Sequence, residues 1–318
     1  MTERAVRLAL AGPGAFGIKH LEALTRIGCR VETLVSVDAA HAEAVAARFG
    51  IPRRSQDLDS VLRDEAIDAV ILCTPTPLHA SQAMACLRAG KHVLVEIPLA
   101  DSLPDAQSIV ALAQRQGCIA MCGHTRRFNP GHQWLNRLIQ AGRFQLQHLV
   151  VQTYFMRRTN INALGQPRGW TDHLLWHHAA HSVDLFLHQT RSSLAGYRVL
   201  QGPIHPQLGI ATDMSIQMAS RSGALCTLSL SFNNDGPLGS DFRYIGDSGT
   251  YLARYDELLD GHGRPVDLDD GAPSDGVERQ DREFLAAIRE RRQPQASAAD
   301  VLPCYEVLAA LERVLRRR

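Results

Sequence analysis

A chain of 318 residues with 45% hydrophobic content is long enough for two domains of ordinary size, each with its own core. Its 34 basic and 33 acidic residues leave a formal net charge of +1, so composition gives no basis for a nucleic-acid or membrane-surface partner. No run of 18 apolar residues occurs, no secretory pattern opens the chain, and seven scattered cysteines make no disulfide framework; a cytoplasmic, reduced protein is expected.

Val6 to Ala11 is an apolar run, followed at once by Gly12-Pro13-Gly14-Ala15-Phe16-Gly17. Ile18, Leu21, Leu24 and Ile27 then recur at helical spacing. Strand, glycine turn and helix in that order form a dinucleotide-binding pattern. Gly12 permits the tight turn, Gly14 lets a pyrophosphate approach the backbone, and Gly17 lets the helix pack on the strand. The helix N-terminus then faces the phosphates. Ala15 and Phe16 complete the turn and join the expected cofactor contacts.

Val31 to Val37 reads as the second strand and Ala39 to Phe49 as the next helix, with Asp38 between them. An acid at this place takes a ribose 2′-hydroxyl and favours NAD. Directly before a helix, however, it also suits an N-cap. On that second reading Ser36 sits at the strand tip with room for a 2′-phosphate, and His41, Arg53 and Arg54 are cationic neighbours. Residue type leaves NAD and NADP both open.

The alternation continues with a short helix (Leu58 to Arg63), a strand (Ala69 to Cys73), a helix (Ala80 to Ala89), a strand (Lys91 to Glu96), a helix (Asp105 to Gly117) and a strand (Ile119 to Cys122). This predicts an α/β domain over 1–123, a doubly wound parallel sheet of Rossmann type. Thr74-Pro75-Thr76, His79, Glu96-Ile97-Pro98 and Gly123 to Arg127 fall at the carboxyl ends of strands, where such sheets bind ligands. The first three groups and Arg127 are therefore expected at the cofactor. Cys118 and Cys122 flank a buried strand and read as core thiols.

After Pro130 the pattern changes. A helix (His132 to Ala141) and a strand (Gln147 to Met156) precede a loop (Asn160 to Thr171) and the helical, histidine-rich stretch Leu174 to Asp184. Strand candidates follow at Tyr197 to Leu200, Asp213 to Ser220, Ala224 to Phe232, Phe242 to Gly246 and Thr250 to Tyr255. The acidic stretch Asp260 to Asp275 reads as a surface loop; Glu278 to Arg291 and Ala299 to Arg316 read as closing helices, the last ending in a solvated Arg316-Arg317-Arg318. The second domain, 124–318, is thus expected to be α+β with a large, mostly antiparallel open sheet. An apolar outer face on such a sheet would need a cover, which predicts a homodimer.

His177 and His181 stand four apart and share a helix face with His173 and Asp184. A metal site, histidines satisfied in a core, and acid–base chemistry beside a nicotinamide are the three readings of this stretch. With no cysteine or glutamate nearby, no metal is expected, and proton transfer is adopted, with His177, His178 and His181 as candidates and Asp184 as an orienting group. His124, Arg126, Arg127, Arg157, Arg158, Arg168, His173, His177 and His178 all fall on segments predicted to line the substrate site. Guanidinium groups clamp carboxylates in bidentate fashion, so the substrate is expected to carry more than one. Tyr154 and Trp170 complete the expected substrate contacts.

With the glycine turn, Thr74-Pro75-Thr76, Glu96-Ile97-Pro98 and His181-x-x-Asp184, the chain resembles the Gfo/Idh/MocA oxidoreductase family over nearly its whole length. Members typically carry Glu-Lys-Pro where this chain has Glu96-Ile97-Pro98, and an Asp-x-x-x-His pair whose first position is His177 here. The resemblance implies His181 as proton acceptor and no lysine relay. The stretches Gly123 to Pro130, Asn162 to Gly165, Trp170 to His181 and Ser229 to Gly239 are similar to members acting in aromatic ring-cleavage catabolism. That similarity implies NADP-preferring oxidation, with NAD also accepted, of the hemiacetal of a small dicarboxylate semialdehyde to a pyrone lactone. Close members often carry an arginine pair near position 37, where Val37-Asp38 stands here, which implies use of both cofactors. A sugar or cyclitol dehydrogenase is the alternative within the family, and a non-catalytic cofactor-binding regulator the alternative outside it.

Overall fold

The computed structural model describes residues 5–161, 165–268, 271–273 and 275–317. Part of the expected 160–171 loop, including Asn162, Ala163 and Leu164, part of the acidic 260–275 loop, and Arg318 of the terminal arginine run lie outside the described residues. Two compact units emerge: Met1–His124 with Val277–Leu302, and Thr125–Gly276 with Pro303–Arg318. The sequence suggests one boundary, at 123/124, with the C-terminal helix able to pack back on the first domain. In the structure the first unit also takes a segment from late in the chain.

The first unit runs β1 (Leu8–Ala11), α1 (Ala15–Ile27), β2 (Val31–Val35), α2 (Ala39–Phe49), β3 (Arg53–Ser55), α3 (Leu58–Leu62), β4 (Ala69–Leu72), α4 (His79–Arg88), β5 (His92–Val95), α5 (Leu103–Gln116) and β6 (Ala120–Cys122). The six strands form one parallel sheet in the order β3-β2-β1-β4-β5-β6. β1 and β4 are buried at every residue, which is why they read as unbroken apolar runs rather than alternating ones. β3 escapes the sequence reading because Arg-Arg-Ser at a sheet edge has neither an apolar run nor alternation. Strand order reverses between β1 and β4, the place where such sheets take ligands.

The second unit contains α6 (Pro130–Gln140), β7 (Leu146–Tyr154), a π-helical turn (Leu174–Ala179) leading into α7 (Ala180–Thr190), β8 (Leu194–Gln201), β9 (Asp213–Ser220), β10 (Leu225–Ser231), β11 (Gly239–Gly246), β12 (Gly249–Arg254) and β13 (Glu257–Asp260). Its sheet has the order β13-β12-β11-β7-β10-β9-β8. Every neighbouring pair is antiparallel except β7–β10 at the centre. Alternation sorts the two faces. Leu149, Val151, Ile216, Met218, Leu228, Leu230, Phe242 and Tyr244 are buried, and α7 and the π-helical turn pack on the sheet. The opposite face carries Gln152, Tyr154, Ser215, Gln217, Thr227, Ser229 and Ser231. This corrects the expectation of an apolar outer face: hydroxyls and amides dominate it, with Leu200 and Leu225 as exposed exceptions.

α8 (Gly276–Glu290) and α9 (Ala298–Leu315) close the chain. Phe284, Leu285 and Ala287 of α8 are buried. All seven cysteines are free thiols, and among the described residues no helix is long and apolar enough to cross a membrane.

Candidate active site

The nucleotide turn is built by steric exclusion. Gly12 has φ +93°, and a Cβ there would overlap the Cys73 carbonyl oxygen at the end of β4. A Cβ on Gly17 would overlap the Gly12 carbonyl in the same way. Gly14 faces open space, and Gly14, Ala15 and Phe16 are exposed where α1 begins. The residues present thus fit a dinucleotide phosphate: an open backbone cradle at a helix N-terminus, with no side chain filling it.

At the tip of β2, Asp38 accepts a hydrogen bond from the His41 amide at 2.9 Å and so caps α2. Its own amide donates to Ser36 Oγ at 3.2 Å. His41 Nε2 lies 2.8 Å from the Pro13 carbonyl, inside the glycine turn. Arg53 pairs with Asp64, while Arg54 is only 3.8 Å from Glu43.

His79 ties together two segments expected at the cofactor. Its ring nitrogens lie 2.8 Å from the Thr74 carbonyl and 2.7 Å from the Pro98 carbonyl. Pro75 and Thr76 lie on the first of these segments and Ile97, 3% exposed, on the second.

Below this rim sits a charged group the sequence reading missed. His20 is completely buried, with Nδ1 2.8 Å from Asp281 of α8 and Nε2 3.1 Å from Glu96. Carboxylates only accept, so both imidazole nitrogens donate and the ring is a cation. Burial, the largest single influence, would lower the His20 pKa, but the Asp281 and Cys73 charges and the hydrogen bonds to both together outweigh it and raise the value well above the usual one. Gln280 adds a 3.4 Å bond to Glu96.

In the second unit, Arg127 and Asp184 form a bidentate pair, with Nε to Oδ2 at 2.7 Å and Nη2 to Oδ1 at 2.6 Å. Both are buried. The sequence suggests Arg127 at cofactor and substrate and Asp184 beside His181; the structure joins the two to each other, fixing the Thr125–Arg127 turn to α7.

Asp172, a residue given no role from the sequence, is a second anchor. Its Oδ2 accepts from Arg157 Nη1 and Nη2 at 3.1 Å each and from Arg168 Nη1 at 2.9 Å. Burial by itself would raise the Asp172 carboxyl, but His177, Arg157 and Arg168 outweigh it and hold it down at about 2. The detectable signal was an acid four residues from Arg168 in the middle of the cationic cluster.

The histidine stretch is not one regular helix. Its first part is the wider π-helical turn, which changes which side chains stand above one another. His173 Nδ1 accepts from the Leu175 amide at 3.0 Å and caps the segment. His177, His178 and His181 remain partly accessible. His178 lies against His177, with centroids 4.9 Å apart and the rings tilted by 54°, and meets the Phe232 ring edge-on, a ring that Arg157 also covers. Burial, followed by the positive field of His177, Arg157 and Arg126, pushes the His178 pKa well below the usual value and makes it a poor proton acceptor.

Tyr154 does not join this cluster: it lies on the outer sheet face, with its hydroxyl 3.0 Å from Ser229 Oγ. Arg168 stacks over Trp170 at 5.6 Å. Arg158 is exposed and bonds to Asn233. His124 is buried at the end of the first unit.

Two family models match the chain: an oxidoreductase family with an NAD-binding Rossmann fold over residues 6–124, and the C-terminal part of bacterial oxidoreductases over residues 130–272. The 4-carboxy-2-hydroxymuconate-6-semialdehyde dehydrogenase of Sphingobium sp. (strain NBRC 103272 / SYK-6) is 56% identical over 315 residues, 98% of this chain and 100% of that protein. The chain belongs to the Gfo/Idh/MocA oxidoreductase family. The scyllo-inositol 2-dehydrogenase (NAD(+)) of Bacillus subtilis (strain 168) is 34% identical over 142 residues, 44% of this chain and 42% of that protein. Among solved structures, an oxidoreductase domain protein from Kribbella flavida matches with a TM-score of 0.85 at 22% identity, over 99% of this chain and 98% of that one. Fold and family thus agree that the first unit is a Rossmann domain of an NAD-binding oxidoreductase family.

Proposed function

We propose that the protein oxidises 4-carboxy-2-hydroxymuconate-6-semialdehyde, as its cyclic hemiacetal, to 2-pyrone-4,6-dicarboxylate. The observation that carries this reading is 56% identity to a dehydrogenase of that name over essentially the full length of both chains. A cluster of arginines and histidines in the second unit, suited to an anionic substrate, supports it.

When bound, the nicotinamide supplies the hydride acceptor. His181 takes the hemiacetal hydroxyl proton as the ring carbon becomes the lactone carbonyl. Ile97 stands where members of the family typically carry lysine, which favours a histidine as base, and a hemiacetal hydroxyl is acidic enough for a neutral imidazole to accept its proton. The lowered basicity of His178, from burial and the positive charges around it, favours His181 over it as the base. His177, in the field of Asp172, holds the substrate anion beside the base.

Both nicotinamide cofactors are accepted in this reading, NADP preferred. Ser36 and the loosely paired Arg54 favour a 2′-phosphate, and the Asp38 carboxylate retains NAD as an alternative. The second unit forms a homodimer through its outer sheet face, where Leu200 (55% exposed) and Leu225 (48%) stand out of a polar surface. Sedimentation that finds only monomer at micromolar concentration would remove this last element.

A coupled assay with the product of protocatechuate 4,5-ring cleavage, run with NADP and NAD in parallel, tests the reaction. Wild type should reduce the cofactor and form the pyrone, and His181→Ala should lose about 100-fold or more in kcat. Oxidation of inositols but not of the semialdehyde would overturn the assignment in favour of a cyclitol dehydrogenase.

A further inference from the structure

Four of the five arginines in the substrate segments already have partners. Arg127 is committed to Asp184, Arg157 and Arg168 share Asp172, and Arg158 lies exposed against Asn233. Arg126 differs. Its guanidinium carbon lies 5.4 Å from the Phe242 ring centroid and 5.5 Å from that of Tyr255. Its hydrogen bond goes to Asn129 Oδ1 at a long 3.3 Å. Among the described residues no carboxylate lies within ion-pair distance of it. Asp256, the acid in its field, instead accepts from Asn129 Nδ2 at 2.7 Å and the Gly276 amide at 3.3 Å. A half-buried guanidinium between two rings, without a counter-ion, is desolvated at a cost that an incoming anion offsets.

The surroundings offer a further donor, and the nearby Asp256 is already engaged by Asn129 and the Gly276 amide. His132 packs edge-on against the same Phe242 ring, 4.7 Å between centroids. Its Nδ1 lies 2.7 Å from the Tyr244 hydroxyl, which also accepts from Gln189 Nε2 at 3.3 Å. The hydroxyl proton therefore goes to Nδ1, and Nε2 carries the imidazole hydrogen. That buried N–H has no acceptor among the described residues. Burial and the Arg126 charge keep the ring neutral.

We propose that Arg126, walled by Phe242 and Tyr255, is the specificity-determining residue that binds one substrate carboxylate. The inference deepens the proposed function and rests on its carboxylate-bearing substrate. It separates two charge environments. The Arg157–Arg168–Asp172 group has a formal charge of +1 shared among three side chains, whereas Arg126 has no carboxylate in direct contact among the described residues.

The test uses the full-length protein with NAD present and measures binding of isophthalate and benzoate by calorimetry. Wild type should bind isophthalate at least tenfold more tightly than benzoate. R126M should weaken isophthalate binding by about 10- to 100-fold, the loss of charge-assisted hydrogen bonds. It should also bring the two ligands close together in affinity. A second measurement needs no variant: phenylglyoxal should modify Arg126 in wild type, and saturating isophthalate should protect it, read by peptide mass spectrometry. Isophthalate binding by R126M as tight as by wild type overturns the proposal, as does an unprotected Arg126 or no isophthalate binding at all. Failure of the semialdehyde to react, with Arg126-dependent isophthalate binding intact, would instead remove the assigned reaction and leave this inference standing.

Discussion

Arg127 and Asp184 lock the Thr125–Arg127 turn to α7 through two charged hydrogen bonds, with side chains only 3% and 1% exposed. Desolvating both ions makes the pair a modest net stabiliser, but removing one partner strands the other in a dry site. Asp184→Asn should therefore cost about 3–5 kcal/mol of unfolding free energy, and Arg127→Met with Asp184→Leu should recover much of it. Urea titrations of the three chains decide this. A fully stable Asp184→Asn that loses only kcat would instead make Asp184 an orienting group for His181.

The Asp172 carboxyl is held at about 2, below the roughly 3.9 of an unfolded aspartate. A depressed folded value gives stability that is complete above about pH 4 and is lost as pH falls toward 2. Asp172→Asn should be destabilised by about 2 kcal/mol at neutral pH. Its deficit relative to wild type should shrink as the pH falls from about 4 to about 2. A deficit constant through that range in thermal melts would contradict the assigned charge.

His20 works in the opposite sense. Its folded pKa is raised, so its contribution is complete below about pH 6.5 and fades as pH rises through the folded value. Wild type should lose melting temperature progressively on the alkaline side. His20→Gln, already lacking the cation between Glu96 and Asp281, should start lower and show a flatter alkaline slope. Parallel slopes for the two chains would contradict it.

Asp38 both caps α2 and places a negative charge at the tip of β2. Asp38→Ser keeps a capping oxygen and removes the charge. The ratio of kcat/KM for NADP to that for NAD should rise about tenfold, a change of about 1.4 kcal/mol. An unchanged ratio would place the 2′-position away from Asp38.

The alternating architecture was legible because the strands of the first sheet are buried on both faces and glycine is sterically required at Gly12 and Gly17. The family was legible from short motifs set by that same geometry. The pairings were not. Arg127 looks like a ligand-binding arginine until Asp184, 57 positions away, takes it. His20 lies in an ordinary amphipathic helix pattern, and its partner is 261 positions distant. The π-helical turn leaves no periodicity to detect, since six residues are too few to distinguish one helical pitch from another.

The discontinuity of the first unit governs the order in which the protein can mature on the ribosome. All six strands of its parallel sheet, and Glu96, have been made once Cys122 is added, yet Asp281, the second carboxylate on His20, arrives only with α8. A nascent or truncated chain ending near residue 124 carries the complete glycine turn over a sheet whose buried charges lack Asp281. Such a fragment should be a client of chaperones rather than a free-standing nucleotide-binding domain.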